Sequence, residues 1–409
     1  MRLFKSLTLP NGTTLPNRIA KAAMEENMAN ASQAPSNELI TLYEAWADGG
    51  SGLLITGNVM VDRHAMTGPG GVVLEDDQQL PQFQRWAQAG KRKGAQLWMQ
   101  ISHPGRQMPA KLAQPTWAPS AVPVDLGALS KHFAPPIAMT QTKIEEIISR
   151  FVRTAQLAEQ AGFDGVEVHA AHGYLLSQFL SPLTNKRTDQ WGGTLENRAR
   201  LLTEIIKGIR SAVTAKFAVA VKLNSADFQR GGFSQHDAAH VIRLLNDLNV
   251  DMVELSGGSY EAPAMQGSAR DGRTLAREAY FLEFARDLQT VARMPIMVTG
   301  GIRRIEVANE VLSSGVSMVG MATALAIAPA LPIAWQQGQD PTPQLAPINW
   351  RNKALASLAY MAVVKYQLVR LSQNRKPKPK VSALWALIKN QIDDGFRTAR
   401  YKRRMSALS

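Results

Sequence analysis

Short apolar segments recur along residues 17–323 and alternate with amphipathic ones. Eight of these segments are rich in Val, Ile, Leu and Met. Most of them are nearly continuous rather than alternating, which is typical of strands covered on both faces. The stretches between them carry apolar residues at three- and four-residue spacing, which predicts helices. The predicted strands are 17–23, 52–57, 95–102, 165–169, 218–223, 251–255, 295–299 and 317–321, and examples of predicted helices are 144–161, 195–213, 236–248 and 277–292.

This alternation of strands and helices determines the predicted fold class. Strands joined through helices pair in parallel, and eight such repeats close naturally into an α/β (β/α)8 TIM barrel. An open doubly wound sheet is the competing architecture, but the first predicted strand lacks the glycine-rich dinucleotide fingerprint. A barrel carries its chemistry just beyond the carboxyl ends of its strands, so the candidate site residues are sought there.

Nearly all of the net charge lies at the end of the chain. The 409 residues carry 46 Lys and Arg against 33 Asp and Glu, a net charge of +13. Residues 350–409 hold fourteen basic side chains against two acidic ones, a net +12, so the rest of the chain is nearly neutral. A proline-rich stretch at 341–347 marks the boundary. We therefore expect a barrel over 1–340 and a basic, mostly helical C-terminal extension over 341–409, with helices at 354–371 and 381–392.

The basic extension has two open interpretations. Its helices could pack on the barrel or on a second copy of the chain in a homo-oligomer, with their charges in solvent, and this is the first expectation. Alternatively, residues 350–409 could lie on an anionic membrane, because basic helices that carry Trp and Leu bind such surfaces. No groove-reading or base-stacking motif accompanies the charge, so a nucleic-acid partner is not expected.

The composition excludes several kinds of chemistry. The chain has no cysteine, which rules out disulfides, thiolate zinc sites, iron–sulfur clusters and cysteine nucleophiles. No apolar run approaches the ~18–20 residues of a membrane span. Residues 1–5 lack the apolar region of a secretory signal. These features together predict a cytoplasmic location.

The densest group of chemical side chains follows the fourth predicted strand. His169, His172 and Tyr174 lie within six residues of one another. Two imidazoles can donate hydrogen bonds to one oxygen while a phenol delivers a proton. Alternatively, these residues have only structural roles: one histidine caps the next helix and the tyrosine belongs to the core. A zinc site would need a third ligand such as His103. Two histidines and a tyrosine at a strand end favour the catalytic interpretation, and no metal is expected.

Other strand ends suggest a bound anion and a planar ring. Gly300 and Gly301 follow the seventh predicted strand and Gly320 lies in the eighth, where barrels commonly bind phosphate. Lys222 ends an otherwise apolar strand, and a cation in a barrel mouth is costly unless it meets an anion or an electron-rich ring. Gln100 could hydrogen-bond a planar heterocycle, although a buried glutamine bonded to backbone is equally compatible with the sequence.

These residues lie within motifs that resemble those of a known family. The stretch that starts at His169, HAAHGYLLSQFLSPLTNKRTDQWGGTLENR, closely resembles the signature of the old yellow enzyme family. More narrowly, it is similar to the bacterial NADH:flavin oxidoreductases related to the FMN domain of 2,4-dienoyl-CoA reductase. Supporting motifs are LPNRI at 15–19, QISHPGR at 100–106, VKLNSADF at 221–228 and VTGGI at 298–302.

The resemblance implies an FMN-binding barrel over 1–340 that takes hydride from NADH or NADPH. It further implies that this hydride passes to the β-carbon of an enone or enoyl substrate, which makes the protein an ene-reductase. His169 and His172 would bind the substrate carbonyl oxygen, and Tyr174 would protonate the α-carbon. The residues implied to hold FMN are Ala23, Met24, Gly57, Gln100 and Lys222 at the isoalloxazine and Gly300, Gly301 and Gly320 at the phosphate.

The chain departs from the family pattern at two positions. Ala322 and Thr323 stand where relatives have Gly-Arg, whose arginine grips the phosphate, so we expect Arg303 or Arg304 to substitute. Glu25 stands where many relatives have cysteine or threonine beside the flavin. A carboxylate there would lower the flavin potential, unless it turns to solvent.

Two alternative functions remain open at this point. The same scaffold could run hydride from a substrate to FMN, as a flavin-dependent dehydrogenase or demethylase. Alternatively, a barrel with weakened FMN binding could serve as a membrane-docked interaction protein, and the replaced Gly-Arg is the feature that supports this alternative.

Overall fold

The computed structural model describes residues 1–264 and 278–408. Eight parallel strands, β1 to β8, pair in sequence order, and β8 pairs with β1, so the sheet closes on itself. The predicted (β/α)8 barrel with a helical C-terminal region is confirmed. The strands are Ile19–Lys21, Leu53–Ile55, Gln96–Ser102, Gly165–Ala170, Ala218–Asn224, Met252–Ser256, Ile296–Val298 and Met318–Met321.

Three of the four predicted helices begin and end within about three residues of their expected bounds, and their starts have a local cause. The hydroxyl groups of Thr140, Thr194 and Ser234 each accept a hydrogen bond from a backbone N–H three residues on, which caps the helix that follows. The fourth, expected over 277–292, is a shorter helix within that range, and Arg277 lies outside the described residues. The helices are Asn37–Ala47, Leu80–Gly90, Gln141–Gln160, Leu175–Leu180, Leu195–Ala212, Gln235–Asn246, Leu282–Leu288, Ile305–Ser313, Thr323–Ile327 and Leu331–Gln336.

Short strands close one end of the barrel and extend the other. A hairpin of Leu7–Thr8 and Thr14–Leu15 lies at the amino ends of the barrel strands. Its Leu15 packs with interior residues such as Trp98 and Met252, so that end is filled by apolar side chains. The pair Val59–Met60 and Val72–Val73 extends β3, and Trp117–Ala118 pairs with Ile137–Ala138. A polar site is therefore expected at the opposite end of the barrel, where the strands have their carboxyl ends.

The extension forms two helices, here called the first tail helix (Lys353–Ser372) and the second tail helix (Ala383–Leu408). They pack on each other through Ala359, Val363 and Leu387. The second tail helix also reaches the barrel loops, where the Tyr401 hydroxyl donates to the carbonyl of Arg63 at 3.0 Å. This packing agrees with the first expectation for the extension.

The tail differs from the prediction in two respects. The second tail helix continues far beyond residue 392, because buried Tyr401 and Met405 anchor a segment whose other residues are mostly charged or polar. The segment Ala354–Ser372 is long and apolar enough to cross a membrane by length and composition, contrary to the expectation that no such run exists. One helix of this kind is weak evidence for a span, since core helices of soluble proteins pass the same test.

Candidate functional site

Two adjoining cavities open at the carboxyl end of the barrel. One, the glycine cavity, has a volume of about 370 Å³ and is lined by Gly300, Gly301 and Arg303. The other, the histidine cavity, has a volume of about 270 Å³ and contains His169 and Tyr174. The residues that line both cavities are Ala23, His172, Lys222, Ala322, Thr323 and Tyr360.

Nine of the eleven predicted site residues line one or both cavities. They are His169, His172, Tyr174, Ala23, Met24, Gln100, Lys222, Gly300 and Gly301.

Gly57 and Gly320 do not line either cavity. A Cβ atom on Gly57 would lie 2.1 Å from the carbonyl oxygen of Met24, and one on Gly320 would lie 2.4 Å from Cγ2 of Thr299. Close packing of neighbouring chain segments therefore explains both glycines. The wall expected at Gly57 is formed instead by the next residue, Asn58.

The two histidines converge from the end of β4 and the loop after it. Their ring centroids lie 5.0 Å apart. Nδ1 of His169 accepts the backbone N–H of Ala171 at 3.2 Å, so the ring proton of His169 is on Nε2. Nε2 of His172 lies 2.7 Å from the Ser256 hydroxyl. The backbone of His172 is left-handed, at φ 61°, and its N–H donates to the side chain of Asn224.

Both imidazoles are neutral at physiological pH. Burial lowers the pKa of His169 well below its usual value, and the neighbouring His172 and Lys222 lower it further. Burial and then Lys222 likewise lower the pKa of His172. A neutral imidazole has one N–H and one acceptor nitrogen. The pair can therefore donate hydrogen bonds to a substrate oxygen without bringing positive charge into the cavity.

Tyr174 keeps its proton next to the histidines. Its ring centroid lies 4.9 Å from that of His169, and its hydroxyl lies 3.0 Å from the hydroxyl of Tyr260. Burial raises the pKa of Tyr174 well above its usual value, and Tyr260 and Glu25 raise it further. Tyr260 was missed by the sequence analysis, although a tyrosine just beyond the Ser-Gly-Gly at the end of β6 was the available signal.

A buried polar network lies beneath the cavities. Lys222 Nζ donates to Glu254 Oε1 at 2.5 Å, so this cation meets a protein anion. Gln100 Nε2 donates to Glu167 Oε2 at 2.6 Å. Burial first, and then the charge of Glu254, raise the pKa of Glu167 well above its usual value. Glu167 is therefore the protonated member of the network, and Glu254 is the carboxylate that forms the ion pair with Lys222.

These two glutamates were also missed by the sequence analysis. Glu167 lies two residues before His169, and Glu254 lies two residues before Ser256. Side chains two apart on a strand point to the same face. Their two-residue spacing from the cavity residues His169 and Ser256 was therefore the signal from which a position inside the barrel could have been predicted.

The two departures from the family pattern both lie at the cavities. Glu25 lines the histidine cavity and accepts a hydrogen bond from the Thr67 hydroxyl, so it faces the site. Arg303 lines the glycine cavity. Arg304 does not line it. The Nε atoms of both arginines lie close to Glu278 Oε1, at 3.2 Å for Arg303 and 2.8 Å for Arg304. That one of these arginines binds a phosphate stays a prediction, and the cavity lining alone favours Arg303.

His103, the third ligand of the zinc alternative, lines neither cavity. Its Nδ1 accepts the backbone N–H of Gly105 at 3.1 Å. Within residues 1–264 and 278–408, no three His, Cys, Asp or Glu side chains form a group that could hold a metal ion.

We expect acid to destabilise the fold through His103. Burial lowers the pKa of His103 to about 4, against 6.5 unfolded. Below pH 6.5 the unfolded chain therefore binds a proton at His103 that the folded chain does not bind. This one residue lowers the free energy of unfolding by about 1.4 kcal/mol per pH unit until about pH 4. Urea unfolding at pH 7, 6 and 5 measures this slope. His103→Gln should reduce the slope by about this amount and leave the part that buried His169 and His172 contribute. Exposed His132→Gln should leave the slope unchanged, and equal slopes in all three proteins would contradict the prediction.

The cavity residues fit FMN. Small Ala23 leaves room for a flat ring, beside which Lys222 and Gln100 offer polar atoms. Gly300 and Gly301, at φ 117° and 77°, border the glycine cavity with bare backbone, and Arg303 adds a cation there. The two cavities therefore offer the surfaces that an isoalloxazine ring and a phosphate would need.

Comparison with known proteins agrees with this fit. The profile of the NADH:flavin oxidoreductase / NADH oxidase family matches residues 2–341. The NADH-dependent flavin oxidoreductase iccE of Talaromyces variabilis is 38% identical over 356 residues, which cover 81% of this chain and 86% of that relative. The NADH-dependent flavin oxidoreductase iliE of Neonectria sp. (strain DH2) is 39% identical over 353 residues, 80% of this chain but 46% of the relative. The chain thus spans about half the length of some curated relatives.

Solved structures support the same assignment. A 2-naphthoyl-CoA reductase in complex with 2-naphthoyl-CoA superposes with a TM-score of 0.76 at 27% identity, over 83% of this chain and 52% of that one. The old yellow enzyme homologue from Zymomonas mobilis superposes with a TM-score of 0.71 over 85% of this chain and 95% of that one, and at 23% identity it supports the fold. The family match spans nearly the whole barrel, and the chain therefore belongs to the NADH:flavin oxidoreductase / NADH oxidase family, as a flavin oxidoreductase that uses FMN with a nicotinamide hydride donor.

Proposed function

We propose that this protein is an ene-reductase that reduces the C=C bond of α,β-unsaturated carbonyl compounds at the expense of NADH or NADPH. The observation that carries the proposal is the meeting of two neutral imidazoles and a protonated phenol, those of His169, His172 and Tyr174, in one cavity. This set can stabilise a negative oxygen and supply one proton, which are the two needs of conjugate reduction.

The chain's own residues would act as follows. FMN, when bound, supplies the hydride that adds to the β-carbon. His169 and His172 donate hydrogen bonds to the carbonyl oxygen, which gains negative charge only as the hydride arrives, so the transition state is stabilised more than the substrate. Tyr174 then gives its hydroxyl proton to the α-carbon, and Tyr260, 3.0 Å away, is placed to return a proton to it.

The cofactor would be held by residues on both sides of the cavity wall. Ala23, Met24, Gln100 and Lys222 would border the isoalloxazine, while Gly300, Gly301 and Arg303 would border the phosphate. Lys222 would be oriented toward the ring by its ion pair with Glu254 at 2.5 Å.

The visible spectrum of the purified full chain tests the proposal. Under anaerobic conditions NADH or NADPH should bleach a flavin absorbance that 2-cyclohexenone then restores. If an amine or alcohol bleached the flavin while NADH and NADPH did not, the flavin-dependent dehydrogenase or demethylase would replace the ene-reductase. A colourless protein that refuses added FMN would favour the interaction protein.

We further propose, as a second role, that the extension of residues 341–409 holds the enzyme peripherally at an anionic membrane from the cytoplasm. An apolar stripe on the second tail helix supports this: Leu384, Ile388, Ile392 and Phe396 follow one another at four-residue spacing and are 51–73% exposed. A homo-oligomer through this stripe would bring two tails of +12 together, which like-charge repulsion opposes.

Liposome flotation tests this docking. We expect the full chain to float with vesicles that contain phosphatidylserine and to stay behind with neutral vesicles, because the stripe and the basic tail act together. Ile388→Glu with Phe396→Glu should abolish flotation and leave flavin content unchanged. A dimer in sedimentation that this double variant splits would assign the stripe to a second copy instead.

A further inference from the structure

The first tail helix forms one wall of the histidine cavity, which no feature of its sequence had indicated. Met361, Val364, Lys365 and Leu368 lie on one face of this helix, at spacings of three and four residues, and all line the cavity that holds Tyr174. The extension therefore contributes directly to the space in which a substrate would bind.

Lys365 is the unusual member of this wall. Its Nζ donates to the Asn27 side-chain oxygen, a neutral group. Within residues 1–264 and 278–408, no carboxylate lies within 4.0 Å of it. The other cavity lysine, Lys222, is by contrast paired with Glu254 at 2.5 Å. Lys365 is thus the cavity cation that has no close counter-ion.

The electrostatic surroundings of Lys365 do not replace such a partner. Burial lowers its pKa, the charge of Glu25 acts against this, and Arg397, Asp394 and Lys111 contribute with mixed signs. Glu25 is itself bonded to the Thr67 hydroxyl and acts on Lys365 from beyond ion-pair distance. A half-buried ammonium without a counter-ion is unfavourable unless a ligand supplies one.

We infer that Lys365 is a specificity-determining residue that binds a carboxylate carried by the substrate. The substrate class is then an α,β-unsaturated carbonyl compound with an acid group, its carbonyl oxygen at the two histidines and its carboxylate at the tail wall. This inference rests on the proposed ene-reductase activity. It makes the extension the part of the chain that distinguishes acidic from neutral acceptors.

The test compares an acid with its neutral ester in the oxidative half-reaction. The holoenzyme, reduced by one equivalent of NADH without oxygen, is mixed with (E)-4-oxo-2-pentenoate or with its methyl ester, and flavin reoxidation is followed against concentration. Lys365→Met should weaken apparent binding of the acid by about 10- to 100-fold, the range of a hydrogen bond to a charged group. Binding of the ester should change by less than about two-fold, and Lys365→Arg should restore most of the acid binding.

Other results would overturn the inference in distinguishable ways. Equal losses for acid and ester would make Lys365 only a part of the wall. A loss confined to flavin reduction by NADH would assign the lysine to the phosphates of the nicotinamide nucleotide. If wild-type enzyme reduced the ester but showed no preference for the acid, the Lys365 assignment would fail while the ene-reductase proposal stood. If neither compound reoxidised the flavin, the ene-reductase proposal itself would fail. Flavin content of each variant, measured first, verifies that it is folded.

Discussion

Replacing Tyr174 by phenylalanine should slow reoxidation of the reduced enzyme by an enone by about 10²- to 10⁴-fold, the usual contribution of a positioned general acid. The substitution removes only the hydroxyl and keeps the ring that packs 4.9 Å from His169. Reduction of the flavin by NADH should change by no more than a few-fold, because that step needs no proton from this residue. Stopped-flow measurement of the two half-reactions separates these effects.

The matched control for this prediction is Tyr260→Phe. Tyr260 lines the same cavity and its hydroxyl lies 3.0 Å from that of Tyr174, so the variant tests whether Tyr260 rather than Tyr174 supplies the proton. It should slow enone reduction far less than Tyr174→Phe, since the proton donor remains in place. If both variants lost activity equally, the two phenols would act as one unit. If Tyr174→Phe slowed both half-reactions alike, the general-acid role would be wrong.

The barrel could be predicted because its signals are local. Continuous apolar strands, three- and four-residue helical spacing and helix-capping residues such as Thr140 and Thr194 all lie within short windows of sequence. His169 and Tyr174 were found for the same reason, since they lie close together at one strand end. The network of Glu167 and Glu254 was missed because its members come from different strands and meet only when these strands pair in the sheet.

The tail could not be placed on the site by comparable reasoning. The first tail helix is apolar on several sides, so its pattern does not reveal which face meets the barrel mouth. The net charge of the extension suggested a partner outside the protein, whereas Lys365 lines the histidine cavity. The net charge of a segment indicates the charge of a surface only for those side chains that the fold leaves exposed. In this chain, part of the basic tail belongs to the site.

Either of the two buried glutamates, Glu167 or Glu254, should be able to serve as the counter-ion of Lys222 when the other is replaced. A double substitution can reveal this. In Glu254→Gln the lysine loses its 2.5 Å partner, but the charge that raises the pKa of Glu167 disappears as well. Glu167 can then ionise and neutralise Lys222, so we expect only a modest loss of stability. Removing both carboxylates, as Glu167→Gln with Glu254→Gln, leaves a buried cation without an anion and should cost about 3–5 kcal/mol.

Chemical denaturation of the single, double and triple variants measures this difference, and flavin content after purification reports on the site. The triple variant that adds Lys222→Met should regain most of the stability of the double variant, because an apolar side chain of similar length needs no counter-ion. It should not regain flavin binding, since Lys222 lines both cavities where the ring would lie. Single variants as unstable as the double would mean that Glu167 cannot take over the charge. Equal stability in all of them would mean that Lys222 needs no carboxylate partner in the folded protein. The expected order instead assigns the carboxylates to neutralising the lysine and the lysine to the cofactor.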